Sequence, residues 1–319
     1  MILVTGGAGF IGSNFLYHLK RKFNDDVVCV DSLTYASNYN YIAPLIEEFG
    51  IAFEPVDITN FETIQKVFKH YKPNVIVNFA AETHVDNSIK DSSPFIMTNV
   101  LGTVNLLNHA MNLDSLDKFI HVSTDEVYGS LELDDQHSFT EYSQYQTNSP
   151  YSASKASSDH FVEAYGKTYG LPTIITNCSN NYGPNQHSEK FIPTIIKSIL
   201  AGKNVPVYGD GLNVRDWLYV EDHCRALELV IRKGVVGEKY NIGGGEEVAN
   251  IDLVKMILKA MNISGTMIEY VKDRPGHDRR YSIDCSKIKK ELGYEPKYTL
   301  EEGLKETIKW YTSGKNNGK

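Results

Sequence analysis

Short blocks of consecutive apolar residues alternate along this chain with longer stretches in which apolar positions recur every three or four residues. Ile2-Leu3-Val4 is an unbroken apolar run, and the spacing from Ile11 to Lys22 predicts a helix behind it. Val27–Val30 and Phe53–Val56 repeat the strand pattern, Ile64–His70 the helical one, and Val75-Ile76-Val77 the strand again. A long helix is predicted over Phe95–Met111, then a strand over Phe119–Val122, a helix over Tyr151–Tyr169 and a strand at Thr173-Ile174-Ile175. Strands apolar on both faces belong to a parallel sheet covered by helices. The predicted class is therefore α/β, a Rossmann-type doubly wound parallel sheet with a smaller α/β substrate-binding domain.

Past Cys178 the rhythm changes. Segments rich in Asn, Gly and Pro, at Asn180–Gln186, Gly209–Asn213, Gly243–Glu246 and Asp273–Asp278, separate shorter elements. This predicts a nucleotide-binding domain over 1–178, with returns to the main sheet near Trp217 and Tyr240 (segment 217–243). The second domain is expected over 179–216 and 244–319. The polar tail Thr312–Lys319 is expected to fray.

Composition narrows the function classes. The chain has 319 residues, 23% of them charged and 41% hydrophobic, with a net charge of −8. That is ordinary globular composition, and it gives no sign of nucleic-acid or anionic-membrane binding. No apolar run is long enough to span a bilayer, and no basic-then-apolar leader is expected before Ile2. Cys29, Cys178, Cys224 and Cys285 are scattered, without a CxxC pair. No disulfide framework or metal site is expected, and a reducing cytoplasm fits.

Candidate chemistry starts at the first strand–helix junction, Val4-Thr5-Gly6-Gly7-Ala8-Gly9-Phe10-Ile11-Gly12. Glycines there let the chain turn tightly and approach a pyrophosphate, while the helix N-terminus offers free N–H groups to it. Asp31 closes the second strand. A carboxylate at that position accepts the ribose hydroxyls of NAD and repels the extra phosphate of NADP. Ser32-Leu33-Thr34 carries no arginine to favour NADP. Asp57, after the third strand, is a candidate for the adenine amino group or a helix N-cap.

Tyr151 and Lys155 lie at i and i+4 on one predicted helix, hence on one face. An ammonium near a phenol lowers its pKa, which predicts a general base for a sugar hydroxyl. With the glycine turn and the block Ser123-Thr124-Asp125-Glu126-Val127-Tyr128-Gly129, the chain resembles the extended short-chain dehydrogenase/reductase family and, within it, the nucleotide-sugar 4,6-dehydratases. The resemblance runs through nearly the whole chain. It includes Ala80–Asp86, Asn177–Pro184, Arg215–His223 and Asp273–Arg280.

The resemblance implies C4 oxidation, elimination of water across C5 and C6, and return of the hydride to C6. Thr124 would bond the sugar O4, Tyr151 with Lys155 would take its proton, Glu126 would be the C5 base and Asp125 the acid at C6. Two neighbouring carboxyls favour sharing one proton. Adjacent residues on a regular strand point opposite ways, so the backbone is expected to leave strand geometry there. NAD contacts are implied at Gly6, Gly9, Phe10, Ile11, Gly12, Asp31, Ser32, Leu33, Thr34, Asp57, Ile58, Phe79, Ala80, Ala81, Thr83, Thr98 and Asn181, besides Tyr151 and Lys155. Nucleotide-sugar contacts are implied at His84, Asn180, Lys190, Phe191, Pro206, Val207, Tyr208, Arg215, Asn250 and Asp273-Arg274-Pro275-Gly276-His277.

Substrate and assembly follow from the same resemblance. It implies dTDP-glucose, the alternatives being dehydration of UDP-glucose or UDP-N-acetylglucosamine, 4-epimerisation, and a non-catalytic NAD-binding role. Asn87 departs from the arginine usual after His84-Val85-Asp86, in a segment expected near the sugar. A homodimer is implied through the helices Phe95–Met111 and Tyr151–Tyr169, with Leu101, Val104, Leu107, Phe161, Val162 and Tyr165 as candidate interface residues.

Overall fold

Strand β1 (Ile2–Thr5) is buried along its whole length and leads through the glycine turn into helix α1 (Phe10–Lys22). This computed structural model describes residues 1–23, 25–264 and 267–313. The chain continues through β2 (Val27–Val30), α2 (Ala43–Phe49), β3 (Ala52–Glu54), α3 (Phe61–Tyr71), β4 (Val75–Asn78), α4 (Val85–Lys90), α5 (Ser93–Phe95) and α6 (Thr103–Ala110). After them come β5 (Lys118–Thr124), α7 (Pro150–Tyr169) and β6 (Thr173–Cys178). The second part adds β7 (Asn180–Tyr182), α8 (Phe191–Leu200), β8 (Val205–Tyr208), β9 (Val214–Tyr219), α9 (Val220–Lys233), β10 (Lys239–Ile242), β11 (Glu247–Ala249), α10 (Asn250–Ala260), β12 (Ile268–Val271), α11 (Ser286–Leu292) and α12 (Leu300–Thr312).

Seven strands form one parallel sheet in the order β10-β6-β5-β4-β1-β2-β3. β1 pairs with β2 on one side and β4 on the other, Thr5 standing level with Val30 and Asn78. The chain winds outward in both directions from β1 and β4, so the carboxyl ends of these strands open on a crevice, the switch point where ligands bind in such sheets. Apolar helices cover both faces. Phe15, Leu16 and Leu19 of α1 pack with Leu227 and Val230 of α9 on one side. Ile64, Val67 and Phe68 of α3 pack with Leu106, Leu107 and Val162 on the other.

The expected return to the sheet near Tyr240 is β10. Trp217 instead lies in β9, which pairs with β7 and β11 in a separate three-stranded sheet. β9 cannot extend the main sheet, because β10 already occupies the free edge of β6. A second core of Ile192, Ile195, Ile196, Val205, Val207, Leu253, Val254, Ile257, Leu300 and Leu304 lies beside that small sheet. α12 ends at Thr312, and the tail beyond Ser313 lies outside the described residues.

The helix predicted over Phe95–Met111 is not one regular α-helix. Ile96–Gly102 is π-helical, between α5 and α6. Asn99 inside it accepts the Glu82 N–H at 2.8 Å and donates to the Glu82 carbonyl at 3.0 Å and to Ser154 Oγ at 2.8 Å. Those bonds tie the widened turn to the loop after β4 and to α7, an arrangement frequent at functional sites.

Candidate active site

The cleft at the carboxyl end of the sheet is lined first by the glycine turn. Gly6 has a φ of +67°, and a β-carbon on it would lie 2.7 Å from the Ala80 nitrogen, so no other residue fits without strain. A β-carbon at Gly12 would overlap the Gly6 carbonyl and come within 2.8 Å of Gly7 Cα. The first turn of α1 has no side-chain cap and no acidic residue, which leaves its N–H groups for an anion. Asp31 accepts the Ala8 N–H at 3.0 Å and the Leu33 N–H at 2.8 Å, locking the end of β2 to the turn.

Gly6, Gly9, Phe10, Ile11, Gly12, Asp31, Ser32, Thr34, Asp57, Ile58, Phe79, Ala80, Ala81, Thr83, Thr98 and Asn181 all line this cleft. Leu33 does not; its φ is +53° and its side chain is exposed. Asp57 accepts the Thr59 N–H at 2.8 Å, but the cap of α3 is Asn60, which accepts from Thr63. α3 starts at Phe61, too far along for Asp57 to cap.

At the centre, β5 ends at Thr124 and the chain turns into a 3-10 helix over Asp125–Tyr128. Thr124 Oγ1 accepts the Glu126 N–H at 3.3 Å and donates to Asp125 Oδ1 at 3.3 Å. The expected departure from strand geometry occurs here and brings both carboxyls to the cleft. α7 starts opposite, its first turn fixed by Pro150 and a reciprocal cap between Ser149 and Ser152. Tyr151 N–H donates to Ser88 Oγ at 3.1 Å, and Lys155 donates to the Val122 carbonyl at 2.8 Å.

Electrostatics separate the two carboxyls. Burial holds Asp125 well above the usual carboxylate range, and the charges of Glu126 and Asp216 push it the same way. Glu126 is also raised by burial, but Arg274 and Arg215 draw it back. Both carboxyls are thus raised by burial, and of the two Glu126 is the one that the arginines oppose first. At the Tyr151 phenol the lowering that the helical spacing predicts is outweighed. Burial raises it strongly and Glu126 raises it further, with a hydrogen bond to Thr124 opposing them.

Asn180 and Lys190 line the far wall, and Lys190 Nζ donates to the Thr83 carbonyl at 2.7 Å across the cleft. The other expected sugar-nucleotide residues do not line it. Arg215 is buried, donates to the Asp278 carbonyl at 2.8 Å and lies over the Tyr281 ring at 4.2 Å. Arg274 pairs with Asp86 at 3.4 Å, and Tyr208 donates to the same carboxylate at 3.2 Å. His277 meets Asp273 at 2.6 Å, beside Pro275 and Gly276 in one loop. His84 caps α4 and lies 3.6 Å from Glu189. Asn250 opens α10. Phe191 stacks on Trp217 in the second core. β8 alternates, so Val207 is buried while Pro206 and Tyr208 are exposed. Asn87 is not in the cleft. With Tyr35, Glu82 and Lys90 it lines a separate shallow depression. Asn87 stands about 100° round α4 from Asp86, the residue that meets Arg274 and Tyr208.

Sequence reasoning missed Gln186, His187 and Glu189, which line the cleft beside Lys190. Gln186 donates to the Asn181 carbonyl at 2.8 Å, and His187 lies 3.6 Å from Glu189. Their only signal was position, between the Asn180–Pro184 block and α8. It also missed His223, buried in α9, which meets the Asn181 side-chain oxygen at 2.8 Å.

Sheet, glycine turn and the Thr124-Tyr151-Lys155 cluster are together those of an extended short-chain dehydrogenase/reductase. The family model described as GDP-mannose 4,6 dehydratase matches residues 3–307, and the chain belongs to that family. It is 48% identical to the dTDP-glucose 4,6-dehydratase of Haemophilus influenzae, over 97% of each chain. It superposes with a TM-score of 0.94 on a dTDP-glucose 4,6-dehydratase from Streptomyces venezuelae solved with NAD bound, at 45% identity over 98% of this chain and 97% of that one. A UDP-glucose 4-epimerase from Thermotoga maritima superposes with a TM-score of 0.90, at 30% identity over 98% of each chain.

Proposed function

We propose that this protein is an NAD-dependent dTDP-glucose 4,6-dehydratase that forms dTDP-4-keto-6-deoxyglucose. The observation that carries the reading is the carboxyl pair: Asp125 and Glu126 line the cleft together with Thr124 and Tyr151. A 4-epimerase needs the Thr-Tyr-Lys set but no such acid and base. Full-length identity to dTDP-glucose dehydratases supports the same choice.

The cleft fits NAD. Close approach at Gly12, the uncapped α1 terminus and Asp31, with no arginine at 32–34, are what the dinucleotide requires. NAD, when bound, would supply a hydride acceptor at C4 and a hydride donor at C6. Thr124 holds the sugar O4 and Tyr151 takes its proton. The ketone so formed acidifies the C5 hydrogen, which Glu126 removes. Asp125 gives its proton to the departing C6 hydroxyl, releasing water. Arg215 is the diphosphate contact in this reading, Lys190 lies along the substrate, β8 is on the base side and the Asp273–His277 loop makes further nucleotide contacts.

The test is product analysis with dTDP-, UDP- and GDP-linked glucose in heavy water. The expected outcome is turnover of dTDP-glucose to a 4-keto-6-deoxy sugar with deuterium at C5 and substrate C4 hydrogen at C6. A 4-epimer formed without loss of water would overturn it, and preference for a UDP sugar would change the nucleotide.

The protein acts as a cytoplasmic homodimer in this reading. No helix among the described residues is long and apolar enough to cross a membrane, and the four cysteines are unpaired. On the helix pair, Ile96, Met97, Leu101, Phe161 and Tyr169 remain exposed, at 54%, 48%, 39%, 42% and 59%. Leu107 and Val162 do not belong to that surface, because both are fully buried in the parent core. Val104 is half-buried, and Tyr165 is tied to Asn108 at 2.7 Å. Light scattering at micromolar concentration should report twice the chain mass.

A further inference from the structure

Asp159 lies one helical turn beyond Lys155 on α7, and both side chains are buried. An acid inside a protein is costly unless it is bonded or paired. Asp159 is both. Its Oδ2 accepts from Ser123 Oγ at 2.8 Å, Tyr145 OH at 2.9 Å and Asn177 Nδ2 at 3.4 Å. Burial raises the Asp159 carboxyl, and Lys155 first, then the bonds from Ser123 and Tyr145, oppose the rise. The bonds continue outward: Lys239 donates to Tyr145 OH at 3.2 Å and pairs with Glu163, half-buried near the surface.

His121 lies between the two charges. Its Nδ1 faces the Asn78 amide at 3.1 Å, and that amide's oxygen is already taken by Thr5 at 2.6 Å. Nδ1 is thus the acceptor and Nε2 carries the hydrogen, facing Ser158 Oγ at 3.1 Å and Asp159 Oδ1 at 3.4 Å. Burial and then Lys155 keep this imidazole well below its ordinary pKa, so it is neutral. The cation opposite Asp159 is therefore Lys155. Burial lowers the Lys155 ammonium, and Asp159 is the first group that opposes the loss.

We propose that Asp159 is a positioning residue for proton transfer at Tyr151: its buried carboxylate keeps Lys155 an ammonium, so that the lysine can stabilise the phenolate that accepts the sugar O4 proton. This rests on the reading of Tyr151 as the base. The charged and titratable groups around Lys155 are His121 from β5, Tyr151 and Asp159 from α7, and Cys178 from β6, whose thiol is pushed up to about 12 by burial. Those around Tyr151 are Glu126, Cys178 and Asp125. Of all of these, His121 and Asp159 touch neither the cleft nor Tyr151, and His121 is neutral.

The test is the pH dependence of kcat and KM with dTDP-glucose for the purified full chain, Asp159→Asn and Tyr145→Phe. Loss of the countercharge leaves a neutral lysine and a higher phenol pKa. The acid limb of kcat should move up by about 1–3 pH units in Asp159→Asn. The rate should recover at alkaline pH, with KM unchanged. Tyr145→Phe takes a donor from Asp159 and should move the limb the same way by less. A loss of rate uniform across pH, or an unmoved limb, would overturn the proposal. If Asp159→Asn does not fold, Tyr145→Phe decides by the same two outcomes. Tyr151→Phe separates the two readings. If it still turns over, the base assignment fails. If it is inactive while the limb stays fixed, only the role of Asp159 fails.

Discussion

At one end of the cleft, the turn between β1 and α1 offers backbone groups from a single stretch of chain, Gly6 to Gly12, with Asp31 locked beside them at 3.0 Å from Ala8. At the other end, beyond Glu126, the cations come from separate segments, and each is already engaged. Arg215 donates to Asp278, Arg274 pairs with Asp86 and Lys190 holds Thr83. The first end is set by the fold and has little to rearrange when a ligand arrives. The second is a network of side chains that would have to exchange partners before any of them met a ligand. A backbone site fails when a β-carbon is added, whereas a side-chain site fails when a charge is lost.

The largest effect should come from the chemical centre between the two ends. Glu126→Gln keeps the shape but cannot accept the C5 proton, and turnover should fall by about 10²–10⁴-fold, the contribution of one general base. Oxidation at C4 should survive, so reduced nicotinamide absorbance should accumulate on mixing with substrate. Tyr151→Phe should be equally slow and show no such absorbance. Rapid mixing with optical detection separates the two variants, and unchanged turnover in Glu126→Gln would remove it from the mechanism.

At the backbone end, Gly12→Ala drives a methyl group into the Gly6 carbonyl. Overpacking of this kind costs about 1–3 kcal/mol. Melting temperature and NAD affinity should fall together, by calorimetry on the same samples, while affinity for a nucleotide diphosphate alone should stay. Loss of both affinities would show that the two ends are not independent.

Protonation gives a smaller, graded effect. In the proposed mechanism Asp125 is the acid, and its pKa is raised by burial and by Glu126. Its proton is present below that raised pKa and lost above it, so activity should fall on the alkaline side. In the same mechanism Glu126 is a base that must lose its proton, so it adds to the acid limb that Tyr151 sets. Apparent values belong to the pair. Asp125→Asn should abolish the alkaline limb and leave the acid one in a pH profile of kcat. Persistence of the alkaline limb would assign it elsewhere.

Legibility follows the same division. The glycine turn, Asp31 and the Tyr151–Lys155 pair were readable because each is one local pattern placed by a strand–helix junction. The departure from strand at Thr124 was readable because two adjacent carboxyls cannot otherwise share one cleft. The π-helical turn at Ile96–Gly102 was not, since it depends on Asn99 reaching Glu82 and Ser154, which are distant in sequence. The position of Trp217 was missed because an apolar strand does not reveal which sheet it joins. The buried partners of Lys155 were missed because His121 and Asp159 look like an ordinary strand residue and an ordinary helix residue. Lys155 also illustrates what spacing cannot give: one face of a helix was correct, but the sign of the phenol's shift depends on Glu126 and burial.

The smallest effect is expected at Asn87, where the sequence suggested a large one. An arginine is usual there, and its loss would matter if the side chain met the sugar. In this fold Asn87 shares a shallow depression with Tyr35, Glu82 and Lys90, outside the cleft and one residue round the helix from Asp86. A guanidinium placed there would find Glu82, whose carboxyl is raised by burial and by Glu189. Such a pair at a solvated edge contributes about 0.2–1 kcal/mol, or at most about fivefold in any binding constant. Asn87→Arg should therefore leave kcat for dTDP-glucose unchanged and move KM by no more than that factor. Any gain in melting temperature should disappear at high salt, as expected of an exposed pair. A tenfold or larger change in kcat, or a switch in the preferred nucleotide, would place Asn87 in the sugar end of the site. It would also mean that the Asp86–Arg274 pair opens far enough on binding to bring α4 against the substrate.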